Sequence, residues 1–407
     1  MADKFANPFR PGAGHLPPHL AGRRAEIDEF LNMLNQTPVL KNPVLTGLRG
    51  VGKTVLLETL KPRTLEQNWL WIGTDLSETA SLKEENIAIR LLTDLSVITS
   101  SIVIDIEKSH SIGFSTESVT TVKTLSYQGL VAMFEAAPGL VADKLKSVLV
   151  TVWRLLQNQR PNVRGIVFAY DEAQNLSDHA AKEQFPLSML LDVFQSIQRQ
   201  EVPFLLALTG LPTLPLKLVE ARTYTERMFG ITFLKRLDAT ESRAAITEPV
   251  KAANCPIKFE EPSISAIIDL SGGYPYFIQF ICREAFDVAI SKISNGQKAS
   301  VPVDEITRKL DADFFAGRWA KATDRQRELL YAIAQLPNHD GEFTVHEVVD
   351  ASKKVEKQKP FGNSQVNQLL SKLGDVGLIF KNRHGKYSFA VPRLGQFIRR
   401  QESNGHL

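Results

Sequence analysis

Gly47-Leu48-Arg49-Gly50-Val51-Gly52-Lys53-Thr54 satisfies the phosphate-loop pattern G-x-x-x-x-G-K-[ST] at every fixed position. Its glycines let the backbone curl until successive N–H groups face inward and cradle phosphate oxygens. Lys53 then reaches the β- and γ-phosphates, and the Thr54 hydroxyl helps to hold Mg²⁺. Pro43-Val44-Leu45-Thr46 reads as a buried strand entering the loop, and Val55-Leu56-Leu57-Glu58-Thr59-Leu60 as the helix leaving it. The N-terminus of that helix adds partial positive charge where phosphate would lie. ATP with Mg²⁺ is the ligand pair this stretch predicts.

A second signal lies downstream. Gly165-Ile166-Val167-Phe168-Ala169-Tyr170 is an apolar run that ends in Asp171 and Glu172. Two carboxylates at the C-terminal end of a buried parallel strand face the ligand side of a nucleotide-binding sheet. Asp171 is the expected Mg²⁺ residue through its water shell, and Glu172 the group that orients or deprotonates attacking water. Pro203-Phe204-Leu205-Leu206-Ala207-Leu208-Thr209-Gly210 is a further apolar strand. Its Thr209 reaches the γ-phosphate or its water, or else caps its own turn. Arg222 and Arg227 are the candidates for an arginine finger, which would complete the site of a neighbouring subunit. Strands at Trp69–Asp75 and Ile231–Leu234, with helices at 82–97 and 127–159, complete an α/β pattern. The fold class expected is a P-loop three-layer αβα sandwich around a parallel sheet. Residues 98–124 read as a hairpin or surface insertion with no assigned role.

The remaining chain divides by composition. Residues 1–20 are proline-broken and read as an extended arm. Residues 21–237 make the nucleotide-binding core, beginning with an amphipathic helix that presents Ile27, Phe30, Leu31 and Leu34 on one face. Residues 238–316 are helical and read as a lid, in which Ser271-Gly272-Gly273-Tyr274-Pro275-Tyr276 breaks the chain. These glycines either cap a helix or bring backbone close to a ligand. Residues 317–407 contain three helices, then two strands around Asn382-Arg383-His384-Gly385, the order of a winged helix-turn-helix. On duplex DNA, Ser364, Gln365, Asn367 and Gln368 would face the major groove, and Lys381, Arg383 and Lys386 on the wing would meet phosphates. The same fold also serves as a protein-binding module.

Charge follows this division. The net charge is +3, yet Gly317–Leu407 alone holds 15 Lys and Arg against 9 Asp and Glu. A basic C-terminal segment on a slightly acidic body fits a polyanion partner or a solvated surface. Two cysteines, Cys255 and Cys282, give neither a disulfide framework nor metal-ligand spacing. The polar start, Met1-Ala2-Asp3-Lys4-Phe5-Ala6-Asn7, does not read as a signal peptide, and no apolar run is long enough to span a bilayer. A cytoplasmic protein with no membrane association is expected.

Taken together, the chain resembles the AAA+ ATPase superfamily, in particular its origin-recognition-like branch and a group of bacterial AAA family ATPases of about this size. The marks are Leu20-Ala21-Gly22-Arg23 with Glu26, the loop Gly47–Thr54, Asp171-Glu172-Ala173-Gln174 and Gly210-Leu211-Pro212. Others are Tyr224-Thr225-Glu226-Arg227, Gly272-Gly273-Tyr274-Pro275-Tyr276, and Arg383-His384-Gly385 with Phe389-Ala390-Val391-Pro392. The resemblance implies that Gly22 and Arg23 lie near the adenine, that Thr209 is a sensor and that Arg227 is the arginine finger. It also implies nucleotide-dependent homo-oligomers. Where many AAA+ lids carry a second sensor arginine, this chain has Gly273-Tyr274-Pro275. That Gly-x-Pro turn resembles the signal-transducing (STAND) ATPases, in which the proline packs on adenine and turnover is slow. Two functions follow as expectations: an ATPase whose nucleotide state governs assembly on double-stranded DNA, or a signalling or defence switch whose winged helix binds a protein effector.

Overall fold

In a computed structural model the described residues are 6–12, 14–110, 118–255, 258–294, 301–355, 359–383 and 385–403. They form two compact units, and the chain passes between them more than once. One comprises Arg24–Thr46 and Leu56–Phe233; the other comprises the first 23 residues, Gly47–Val55 and everything from Leu234.

The first unit is built on five parallel strands. In chain order these are β1 (Asn42–Thr46), β2 (Trp69–Ile72), β5 (Gly165–Tyr170), β6 (Phe204–Gly210) and β7 (Phe229–Phe233), arranged spatially as β2-β5-β6-β1-β7. The strands between them in sequence, β3 (Val103–His110) and β4 (Ser118–Thr124), pair antiparallel as a separate hairpin, which resolves the expected insertion. The quoted stretch Ser111-Ile112-Gly113-Phe114 lies outside the described residues. Side chains alternate across the sheet. Ile166, Phe168 and Tyr170 join a core with the helices Glu84–Thr99, Val141–Gln159 and Pro186–Gln198. On the opposite face Trp71 meets Phe30 of the helix Arg24–Met33, with ring centroids 6.1 Å apart. The result is the three-layer sandwich. Met33 is buried on that helix, and Leu31 is only half-buried, so the apolar face is rotated slightly from the one expected.

A proline stands inside the central strand β1, where it cannot donate to the ladder. Asn42 compensates. Its buried side chain accepts from Leu206 N at 2.8 Å and from Gln198 Nε2 at 2.9 Å, and donates to Met228 O at 3.4 Å. Regular β1–β6 pairing then begins at Val44 opposite Leu208 and ends at Thr46 opposite Gly210. A side chain thus continues the ladder where the backbone cannot.

The other unit has one apolar core, from Phe9 to Ile398. The N-terminal arm is extended but anchored: Phe9 is fully buried against Phe259 and Phe286, and Arg283 Nη1 donates to Phe9 O at 3.1 Å. Lid helices run Ala239–Ala252, Glu261–Ser271 and Pro275–Ser294, the first started by a capping box between Asp238 and Glu241. Helices Asp324–Ala334, Val345–Lys354 and Asn363–Asp375 precede the antiparallel pair β8 (Ile379–Arg383) and β9 (Lys386–Phe389). Phe343 adds a third rung by exchanging backbone bonds with Tyr387 at 2.8 and 2.9 Å, giving a winged helix-turn-helix. His384, quoted in the wing turn, lies outside the described residues. A final helix, Leu394–Ser403, was not expected from sequence; it buries Leu394, Phe397 and Ile398 in the same core.

Replacing Asn42 by Leu strands the buried Leu206 N–H of β6 and the Met228 carbonyl just before β7. The expected loss is about 2 kcal/mol of unfolding free energy, measured as a lower denaturant midpoint with an unchanged m-value.

Candidate functional site

The sheet register sets the ligand edge of the first unit. Tyr170 pairs with Leu208, and Leu208 with Val44, so Asp171, Thr209 and Leu45 fall in the next row. Asp171 is 3% exposed, and its backbone is fixed by Leu76 N donating to its carbonyl at 2.9 Å and its own N donating to Thr74 O at 3.2 Å. Glu172 turns sharply out of the strand with φ 51°, a left-handed conformation that few side-chain-bearing residues adopt. Its N–H donates to Asp171 Oδ1 at 2.8 Å, leaving the Glu172 carboxylate exposed to solvent. Strain of this kind clusters at functional sites.

The Thr209 and Thr46 hydroxyls at this edge are buried, and neither has a hydrogen-bond partner among the described residues. A buried hydroxyl without a partner carries a desolvation cost of about 1–3 kcal/mol. Thr209 therefore does not cap its own turn. The two hydroxyls, with the Asp171 carboxylate in the same neighbourhood of the sheet, form a donor set that suits phosphate oxygen, water and hydrated Mg²⁺.

In the second unit the phosphate loop has the expected shape, with Gly50 at φ 77° and Gly52 at φ 95°. Lys53 is buried, with Nζ donating to Gly47 O at 2.9 Å and Leu48 O at 3.2 Å. Arg23 is 5% exposed; its guanidinium donates to Val51 O at 3.0 Å, Lys235 O at 2.8 Å and Gly22 O at 3.1 Å. It thus braces the loop from behind. Gly22, at φ 62°, packs so closely on the lid that an added Cβ would lie 2.4 Å from Glu241 Cδ. Tyr276 N, beside Pro275 at the start of the third lid helix, donates to Gly50 O at 3.1 Å. Gly272 caps the preceding helix at φ 61°, and Gly273 O accepts from Leu237 N at 2.8 Å. A Cβ on Gly273 would meet Leu237 O at 2.4 Å, so the close approach made by this turn is to the protein's own backbone.

A cavity of about 420 Å³ lies beside the loop within this unit. Leu48, Val51 and Tyr274 form one side; Asp340, Val391 and Arg393 of the winged helix form another. Arg393 Nη2 donates to Asp269 O at 2.6 Å, while its Nε is buried without a partner among the described residues. Burial pulls its pKa below the usual arginine range, as do nearby Arg236 and Arg400, against an opposing pull from Asp340. Sequence reading missed Arg393, because nothing near Val391-Pro392-Arg393 marks it as part of a cavity.

The two candidate finger arginines differ. Arg222 forms a two-bond pair with Asp192, at 3.0 and 2.7 Å, and its Nη1 donates to Ser188 Oγ at 2.8 Å. Tyr224 Oη adds a 2.7 Å bond to the same carboxylate. Burial alone would raise the Asp192 pKa, but the bonds from Arg222 and Tyr224 hold it below the usual carboxylate range. Arg222 is structural. Arg227 is exposed, and its side chain has no hydrogen bond or ion pair with another described residue. On the winged helix, Ser364, Gln365, Asn367 and Gln368 are all exposed on one face, and Val366, Leu370 and Leu373 are buried behind them. Lys381 is exposed and Lys386 half-buried. Arg383 pairs with Glu342 at 2.9 Å, which offsets part of the wing's positive charge.

Comparison with known proteins gives two domain matches and several structures of like fold. Residues 41–218 match a family described as an AAA domain, and residues 312–398 match a domain of unknown function, DUF8462. No curated protein matches the chain. Among solved structures, a Walker-type ATPase of Pyrococcus abyssi is 18% identical with a TM-score of 0.57, covering 93% of this chain and 96% of its own. The ORC2 protein of Aeropyrum pernix in its ADP form is 16% identical with a TM-score of 0.53, covering 97% of each chain. The chain thus shares the fold of these two structures, and the stretch that matches the AAA domain contains both the Gly47–Thr54 loop and the Asp171-Glu172 pair.

Because Arg222 is tied into the network and Arg227 is not, the two alanine variants are expected to part in stability. Arg222→Ala lowers it by about 1 kcal/mol after screening at a partly exposed pair, while Arg227→Ala stays within about 0.5 kcal/mol of wild type. Thermal melts of the two variants check this.

Proposed function

We propose that this AAA ATPase couples the nucleotide held at its phosphate loop to its winged helix, and so controls assembly on double-stranded DNA. The supporting observation is the shared cavity, where Leu48 and Val51 of the loop and Asp340 and Arg393 of the winged helix line one space. A change in the loop is thereby a change in the surroundings of the C-terminal domain. The P-loop Lys53 binds the β- and γ-phosphates, together with the backbone of Gly47 to Thr54. By their places in the two motifs, Thr54 and Asp171 would hold hydrated Mg²⁺, which would screen phosphate charge. Glu172 accepts the proton of the attacking water, and the unpartnered hydroxyl of Thr209 orients that water or the γ-phosphate. Arg23 and Gly22 shape the base end of the site, and Pro275 flanks it in the lid. The free side chain of Arg227 supports its role as the finger offered to a neighbouring copy.

Lys53→Ala is expected to lose ATP binding, measured by fluorescence of a labelled nucleotide. Glu172→Gln keeps binding but loses hydrolysis by a factor of about 10² or more, because the amide fills the same space and cannot take the proton. Wild-type turnover in Glu172→Gln excludes it as the base.

For the DNA arm, Gln365, Asn367 and Gln368 read bases, and Lys381, Arg383 and Lys386 contact phosphates. Three phosphate contacts imply that log K falls with log salt at a slope of about −2.7. Titration of duplex DNA at several salt concentrations, with and without ATP, tests it. The Arg383–Glu342 pair favours a second reading, in which the winged helix docks on a protein effector and the chain is a slow switch. Absence of duplex binding at low salt selects that reading.

A further inference from the structure

The side-chain amide of Gln174 lies between Glu172 and the end of the strand that carries Thr209. Its Nε2 donates to Glu172 Oε2 in a very short contact, and its Oε1 accepts from Leu211 N at 3.0 Å. Leu211 follows directly on β6, two residues beyond Thr209. Both ends of one amide are therefore committed, one to the exposed carboxylate and the other to the sensor strand.

Its surroundings hold it there. Lys217 Nζ donates to Gln174 O at 2.6 Å and to Ser177 Oγ at 2.9 Å, and Asn175 Nδ2 donates to Leu76 O at 2.8 Å. Gly210 leaves room for this amide, since a Cβ there would stand 2.8 Å from Gln174 Oε1 and 2.9 Å from Leu214 Cδ2. Glu172, by contrast, is exposed on a left-handed backbone, and its side chain would sample several rotamers if nothing held it.

We propose that Gln174 is a positioning residue for hydrolysis. It fixes Oε2 of Glu172, leaves Oε1 to receive the water's proton, and ties that carboxylate to the strand end that carries Thr209. A displacement of β6 on γ-phosphate loss then moves the base as well as the sensor. The inference rests on the reading of Glu172 as the base.

Two variants separate its bonds. Gln174→Leu keeps the length and removes both bonds; Gln174→Glu keeps an acceptor for Leu211 N and replaces the donor to Glu172 with a second carboxylate. In steady-state ATP hydrolysis by the full-length protein, kcat is expected to fall roughly 10- to 100-fold in both. For Gln174→Leu, KM, the affinity for a non-hydrolysable ATP analogue and the melting temperature stay close to wild type. Wild-type or raised kcat in Gln174→Leu overturns the proposal. So does a parallel loss of analogue binding in that variant, which marks a collapsed site, or a normal kcat in Gln174→Glu, which assigns the effect to Leu211 alone. Should Gln174→Leu fail to fold, the Gln174→Glu kcat decides. Glu172→Gln run alongside distinguishes the two levels: if it hydrolyses normally, the base reading fails and this inference with it; if it is inactive while Gln174→Leu is normal, only the positioning role fails.

Discussion

A loop that binds phosphate through its N–H groups has to give its carbonyls to something else. Here the protein itself supplies donors to four of them. Lys53 takes the carbonyls of Gly47 and Leu48, Tyr276 N takes that of Gly50, and the buried guanidinium of Arg23 takes that of Val51. The donors come from the loop's own lysine, the lid and the end of the N-terminal arm. A buried cation is costly unless it is hydrogen-bonded, and three backbone oxygens, those of Gly22, Val51 and Lys235, accept from Arg23. The arrangement accounts for the compact grouping of Gly47–Val55 with the lid and C-terminal domain, although in sequence the loop belongs to the sheet.

The opposite requirement governs the sheet edge. There the polar groups that matter are kept without protein partners or under strain: the hydroxyls of Thr46 and Thr209, and the left-handed backbone of Glu172. Such features destabilise the unoccupied protein by amounts comparable to a single core defect. The apolar strands β5 and β6, buried on both faces, and the Asn42 cross-link offset them.

Sequence named the motifs of the candidate site and the main elements of the scaffold, but not the contacts that join them. The loop Gly47–Thr54 and the pair Asp171-Glu172 were legible because their chemistry is local: each needs fixed residue types at fixed spacing. The layers, the lid helices and the winged helix followed from periodicity and element order, and the structure adds the capping boxes at Asp238 and Thr323. What stayed hidden was contact across long separations. Phe9 lies in a proline-broken arm that gives no sign of its partners, Phe259 and Phe286. Pro43-Val44-Leu45-Thr46 reads as a buried strand, but only the geometry reveals that Asn42 makes the ladder bond Pro43 cannot. Arg222 and Arg227 look alike in sequence; Asp192, thirty residues before the first, is what separates them. Gln174 was visible only as a member of a motif, because its role depends on Leu211 being brought alongside.

The lid and the winged helix share one aromatic spine. Phe277 packs edge-on against Phe314 at 4.9 Å and lies 6.0 Å from Phe315; Phe315 stacks on Phe397 at 5.2 Å, and Phe397 meets Trp319 at 6.0 Å. Cutting the chain at the boundary read near residue 317 would split that spine and expose large rings on both fragments, which would then be prone to self-association. In mechanical terms the spine removes a joint. Tyr276, which bonds the phosphate loop at Gly50, also packs on Phe314 at 5.3 Å, so the loop's lid contact and the final helix are parts of one continuous ring packing.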